Sequence, residues 1–197
     1  KSVGEVMSMG RTFQESLMKA LAALESSAEA VPDVYFSLEK ISYPNSQRIW
    51  HIFQAFRHGL SIQQINELTQ IHPWFLEQIY ELVQFENRVK KQDLDEKIIL
   101  QAKRKGFTDA RLARLKNKKT EEVRKLRYEM KIHPAYLQVD TCAAEFLSST
   151  PYFYSTYWSA ADQDIRAMKP NSQSVIAVIG SGPNRIGQGI EFDYSCV

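Results

Sequence analysis

Four glycines, an arginine and two carboxylates crowd the last eighteen residues, Gly180-Ser-Gly-Pro-Asn-Arg-Ile-Gly-Gln-Gly-Ile-Glu-Phe-Asp-Tyr-Ser-Cys-Val197. Glycine lets the backbone come close to a ligand or leave a passage open, because no Cβ stands in the way. Gly182, Gly187 and Gly189 could do that here, with Arg185 as a cation and Glu191 and Asp193 as carboxylates. The run just before them, Ser174-Val-Ile-Ala-Val-Ile179, is short, apolar and β-branched, as expected of a strand buried on both faces. A buried strand leading into a glycine turn and a helix start is the opening of an α/β domain, and open α/β sheets work at the carboxyl ends of their strands. Gly180-x-Gly182 begins like a dinucleotide fingerprint. The next glycine, however, is Gly187, five positions on instead of three, and Pro183 lacks an N–H for a pyrophosphate. The loop alone is therefore not expected to hold a nucleotide. A lone parallel strand cannot satisfy its own backbone, so the segment is expected to belong to a longer protein.

Other residue types that could do chemistry are scattered. His51, His58, His72 and His133 stand singly, without metal-ligand spacing to another His or Cys, and are expected on surfaces or in packing. Cys142 and Cys196 lie far apart and read as free thiols. Asp140, Glu145, Glu191 and Asp193 could supply a carboxylate pair only if folding brought two together. Tyr152, Tyr154, Tyr157 and Trp158 could stack bases, but core or interface packing is the simpler use of them. There is no G-x-x-x-x-G-K-[ST] loop and no serine nucleophile elbow, and no catalytic residue is assigned.

The elements that must carry these residues are mainly helical. Thr12-Phe-Gln-Glu15 is a capping box that predicts a helix over 13–24. Residues 25–44 hold two prolines, lose periodicity and read as a linker with little regular structure. Asn45 or Ser46 is expected to cap a helix ending at His58, before Gly59. The chain then repeats itself. Gly59-Leu60-Ser61-x3-Ile65-x2-Leu68 recurs 47 residues later as Gly106-Phe107-Thr108-x3-Leu112-x2-Leu115. Each copy reads as a glycine stop, a hydroxyl cap, a short helix and a second amphipathic helix: 62–70 with 73–90, and 109–115 with 121–130. A helix over 95–105 feeds the second copy. His133-Pro134 ends the helical pattern. Residues 152–158 are aromatic and β-prone, and 159–173 read as a second linker.

Such helix–turn–helix units raise the question of nucleic acid. Lys103, Arg104, Lys105, Arg111, Arg114, Lys116, Lys118 and Lys119 form a basic stretch, but the would-be recognition helix opens with Glu121-Glu122. A solvated basic face is the expectation, with no nucleic-acid partner. Lysine plus arginine exceed aspartate plus glutamate by two, 25 against 23, so the whole-chain field points to neither nucleic acid nor anionic membrane. No apolar run approaches the length of a membrane span, and a cytoplasmic location is expected.

The glycine segment 180–194 resembles the start of the second synthetase half of the carbamoyl-phosphate synthase large chain. The first twelve residues, Lys1-Ser-Val-Gly-Glu-Val-Met-Ser-Met-Gly-Arg-Thr12, resemble the end of the first half. His133-Pro134, Val139-Asp-Thr-Cys-Ala-Ala-Glu-Phe146 and Tyr154-Ser-Thr-Tyr157 resemble the segment joining the halves. The resemblance implies a mainly α chain. Residues 1–24 would end the first half, 45–158 would form a helical oligomerisation domain of two helix-turn-helix repeats, and 174–197 would start an α/β pre-ATP-grasp domain. It implies an enzyme making carbamoyl phosphate from bicarbonate, glutamine-derived ammonia and two ATP, with Mg2+ (or Mn2+) and K+, for arginine and pyrimidine synthesis. A separate small glutaminase chain would supply the ammonia, and the helical domain would self-associate. Carbamate would pass internally between the two phosphorylation sites, along a route lined in part by Arg185, Gly189 and Glu191. This segment itself would bind no cofactor or metal and would be inactive alone. The alternative is a free-standing helical interaction module, although the apolar run 175–179 argues against a disordered tail.

Overall fold

The structure is a computed structural model that describes residues 6–24, 30–143, 145–147 and 152–158. The expected strand 174–179, the glycine loop and the linker 159–173 lie outside the described residues.

The described residues hold eight helices and one two-stranded sheet. Helix α1 (Phe13–Ala23) starts at Thr12, whose side chain accepts from the Glu15 N–H. Glu15 reaches back one residue further than a standard capping box, to the Arg11 N–H at 2.8 Å. α2 (Leu38–Ser42) lies inside the stretch read as a linker with little regular structure. The correction has a physical cause. Ser37 caps the helix, and Ala30, Val31 and Ile41 are fully buried, so tertiary packing holds a segment whose sequence has little periodicity. α3 (Arg48–Arg57) begins later than expected, at Gln47, without a side-chain cap; Asn45 instead closes a turn by accepting from the Gln47 N–H.

The repeat appears as anticipated. α4 (Ile62–Thr69) and α5 (Pro73–Lys91) form the first copy, α7 (Asp109–Leu115) and α8 (Thr120–Glu129) the second, with α6 (Glu96–Arg104) leading into it. Ser61 and Thr108 cap α4 and α7 as the pattern required. Gly59 and Gly106 both take positive φ, at +88° and +82°. Matching positions are buried in both copies: Ile65 with Leu112, and Leu76 with Val123. α5 is the spine of the domain, packing against α1, α3, α4 and α7. Its stripe of Leu76, Ile79, Leu82, Val83 and Val89 joins one continuous core with Met18, Phe53, Ile99 and Phe107.

β1 (Ala135–Gln138) and β2 (Phe153–Thr156) pair antiparallel, Ala135 opposite Thr156 and Gln138 opposite Phe153. The aromatic segment expected to be extended is thus a strand, and its Tyr157 packs against the helical core. Phe13, Trp74 and Phe75 form a mutually edge-packed cluster with centroids 5.0–5.4 Å apart, and Trp74 and Phe75 stay nearly half exposed.

Candidate functional site

The residues singled out on chemical grounds at the C-terminal end, Arg185, Gly189 and Glu191, lie outside the described residues, as do Asp193 and Cys196. Of the carboxylates that might have paired, Asp140 is engaged locally, its Oδ1 accepting from the Cys142 N–H at 2.9 Å, and Glu145 is exposed. Cys142 is a partly buried free thiol. Among the described residues, no group of three His, Cys, Asp or Glu side chains could hold a metal ion.

The histidines do structural work. His58 stacks on Phe36 with centroids 4.5 Å apart, and the His72 ring accepts from the Trp74 N–H at the start of α5. His51 is only 2% exposed, and neither ring nitrogen reaches a partner at hydrogen-bonding geometry. Burial first, then the charge of Lys40, holds its pKa below the ordinary 6.5, partly offset by the Tyr35 backbone. The unfolded chain therefore takes up this proton at a higher pH than the folded one. Protonation linkage at His51 costs nothing above about pH 6.5, and stability is lost as the pH falls from there toward the folded pKa, by up to about 1.4 kcal/mol per pH unit. Urea unfolding at stepped pH should show this loss in the native chain and less of it in His51→Leu. Equal slopes would mean that His51 protonates freely in the fold.

The basic stretch is only in part the solvated face expected of it: Arg114, Lys118 and Lys119 are exposed, but the other five cations are buried or partly buried. Arg111 is buried and donates through Nε and Nη2 to Glu86 Oε1 at 2.9 and 2.8 Å. Arg57 forks onto both oxygens of the same carboxylate at 2.9 Å each. Asp33 adds a second carboxylate, 3.3 Å from Arg57 and from Arg114. Burial works against the Asp33 anion, but Arg111, Arg57 and Arg114 together hold its pKa below the usual carboxylate value. A second knot joins Asp109 to Arg127 at 3.0 Å and to Lys103 at 3.1 Å. Burial would raise Asp109, yet the Arg127 and Lys103 contacts bring it down. Lys105 donates to Gln14 on α1, and Lys116 to the Lys90 and Gln92 carbonyls at the C-terminal end of α5. These cations tie helix to helix, which leaves few of them for a phosphate backbone.

Where the chain comes into the domain and where it leaves, polar groups converge. Lys19 on α1 donates to the Met9 carbonyl at 2.5 Å and to the Ser155 carbonyl at 2.6 Å. Burial lowers its pKa, and Glu15 opposes that shift. Arg104 Nε donates to the Tyr157 carbonyl, and the Trp158 indole N–H donates back to the Arg104 carbonyl, both at 3.1 Å. Arg104 also lies over the Trp158 ring, 5.0 Å from its centroid. A cavity of about 150 Å³ lies between α1, the Gly106 turn and β2, lined by Glu15, Lys19, Phe107, Ser155 and Tyr157. Burial pushes the Tyr157 hydroxyl up to about 12, against the pull of Arg127. Tyr157 and Trp158 are therefore anchors of the outgoing segment, not a stacking platform.

Sequence reasoning missed Glu86, Arg57 and Asp33. One signal was present. Glu86 interrupts the apolar stripe of α5, between Leu82 and Val89, where an unpaired carboxylate would be prohibitive. Its partners come from α3, α7 and the 30–36 segment, which no spacing rule connects.

The described residues form a helical body of two repeats, with residues 6–12 and 152–158 brought together at Lys19. The carbamoyl-phosphate synthetase large chain oligomerisation domain family matches residues 5–131, and the carbamoyl phosphate synthase preATP-grasp domain family matches 172–197. The chain belongs to the carbamoyl phosphate synthase large chain family. All of it aligns with the large chains of Vibrio cholerae at 49% identity, Pseudothermotoga lettingae at 47% and Pseudomonas aeruginosa at 45%. It spans about a fifth of their length, 18–19%. No described helix is long and apolar enough to cross a membrane.

Proposed function

We propose that the chain is the junction of a glutamine-dependent carbamoyl-phosphate synthase large chain, joining its two synthetase halves and lining part of the carbamate route. The observation that carries this reading is the order of matches, with the oligomerisation family over 5–131 and the preATP-grasp family beginning at 172. The whole enzyme would make carbamoyl phosphate from bicarbonate, ammonia released from glutamine by a small partner chain, and two ATP. ATP, its Mg2+ or Mn2+, and K+ belong to the rest of that enzyme in this reading, and the junction itself carries no catalysis. Self-association runs through the helical body, and the half-exposed Trp74 and Phe75 beside Phe13 give it an apolar surface with aromatic anchors.

Within the glycine loop, Gly189 leaves space, while Arg185 and Glu191 give polar guidance to an anion that water would destroy. In the intact enzyme, Gly189→Phe should obstruct the route without touching either ATP site. Carbamoyl phosphate formation should fall by at least about tenfold. Bicarbonate-dependent ATP hydrolysis and ATP formation from carbamoyl phosphate should largely survive. A parallel fall of all three would make the loop a folding or ATP-site element, and no fall would remove it from the route.

A further inference from the structure

The chain comes into the helical domain through residues 6–12 and leaves it through 152–158, and one ammonium group holds both stretches. Lys19 Nζ donates to Met9 O and Ser155 O, and it sits 5.9 Å from the centroid of the Tyr154 ring. On the incoming side, Ser8 Oγ donates to Ser16 O at 2.6 Å and the Arg11 N–H donates to Glu15. On the outgoing side, Arg104 and Trp158 exchange the hydrogen bonds described above. Those contacts pin each stretch separately to the helices, whereas Lys19 bonds to both at once. Met9 and Ser155 are 146 residues apart in sequence (155 − 9), so their neighbourhood is a property of the fold. Hydrogen bonds from an ammonium are stronger than neutral ones, and they strengthen further where water is partly excluded.

We propose that Lys19 is a positioning residue. By clasping the incoming and outgoing stretches it sets where the two flanking synthetase halves leave the junction, and so keeps carbamate transfer between them tight. The inference rests on the synthase reading above. An unstable intermediate passed between two sites is sensitive to their relative placement, because small misplacements cost large factors in productive encounter. A looser junction would leave each half working and let carbamate escape between them.

The test uses the full-length enzyme with its small chain and the variants Lys19→Met and Lys19→Arg. Methionine keeps an apolar stem of similar length and removes both hydrogen bonds. In Lys19→Met, the two partial reactions should stay within about twofold of wild type, while ATP consumed per carbamoyl phosphate formed rises about twofold or more. Amide exchange in peptides covering 6–11 and 152–158 should quicken about tenfold, because opening the clasp exposes both stretches together. Lys19→Arg, still able to donate to two carbonyls, should restore most of the stoichiometry. An unchanged ATP ratio alongside faster exchange would overturn the proposal, since the clasp would then open without consequence for transfer. A proportional fall in all three activities would overturn it as well, by making Lys19 a residue of stability alone. A wild-type enzyme lacking both partial reactions would sink the synthase reading and the coupling role with it, leaving exchange to judge the clasp by itself.

Discussion

Glu86→Ala should cost the helical domain about 3–5 kcal/mol, a large share of the roughly 5–15 kcal/mol that holds an ordinary domain folded. The carboxylate is 1% exposed and accepts from two arginines, Arg57 at both oxygens and Arg111 at one. Arg111 is equally buried, so alanine leaves its guanidinium charged and without its nearest counter-charge, with the Asp33 carboxylate more distant at 3.6 Å. Removing one partner of a buried pair is far worse than removing both, because the desolvation of the survivor is no longer offset. Glu86→Gln keeps the shape and one acceptor oxygen and should fall between alanine and wild type. Urea unfolding followed by circular dichroism reads the difference. A loss below about 1 kcal/mol would mean that water reaches the cluster and that the helices, not the ions, fix their own packing.

The contrast between what sequence anticipated and what it missed follows from range. Helix α7 was legible to the residue, because a hydroxyl at Thr108, an acid at Asp109 and an apolar period of three and four all lie within eight positions. The 47-residue repeat was legible for the same reason, each copy being a string of local signals. α2 was not, since five residues between prolines form a helix only because Ile41 finds the core. The role of the cations failed in a similar way. Lys103, Arg111 and Lys105 look like one basic surface when read along the chain, but their partners Asp109, Glu86 and Gln14 lie on different helices or across a turn. Lys19 gives no sequence signal at all, because its acceptors are backbone carbonyls that every residue carries. For Arg185, Gly189 and Glu191, which lie outside the described residues, the reading rests on family resemblance alone, for spacing made only a degraded fingerprint.

Gly106 and Gly59 occupy the same place in the two repeats and share a left-handed backbone, yet alanine should be tolerated very differently at the two. At Gly59, a Cβ would meet nothing within 4 Å, so Gly59→Ala carries only the cost of placing an L-residue at φ +88°, about 1 kcal/mol. At Gly106, the same atom would stand 2.7 Å from the Met18 Cβ and 3.0 Å from the Glu15 carbonyl oxygen. Those atoms belong to the root and the backbone of α1, so no rotamer change relieves the clash, and either α1 or the turn must move. That displacement adds a packing cost of about 1–3 kcal/mol to the conformational one, for a total of roughly 2–4 kcal/mol. Gly106→Val, larger and branched at Cβ, should lie at the upper end. The displaced element is also the helix that carries Lys19, so the same substitution should loosen the clasp between the incoming and outgoing stretches. Thermal melts of the two alanine variants side by side provide the measurement. Similar losses at both positions would mean that α1 does not pack on the second repeat as described, and that each glycine serves only its own turn.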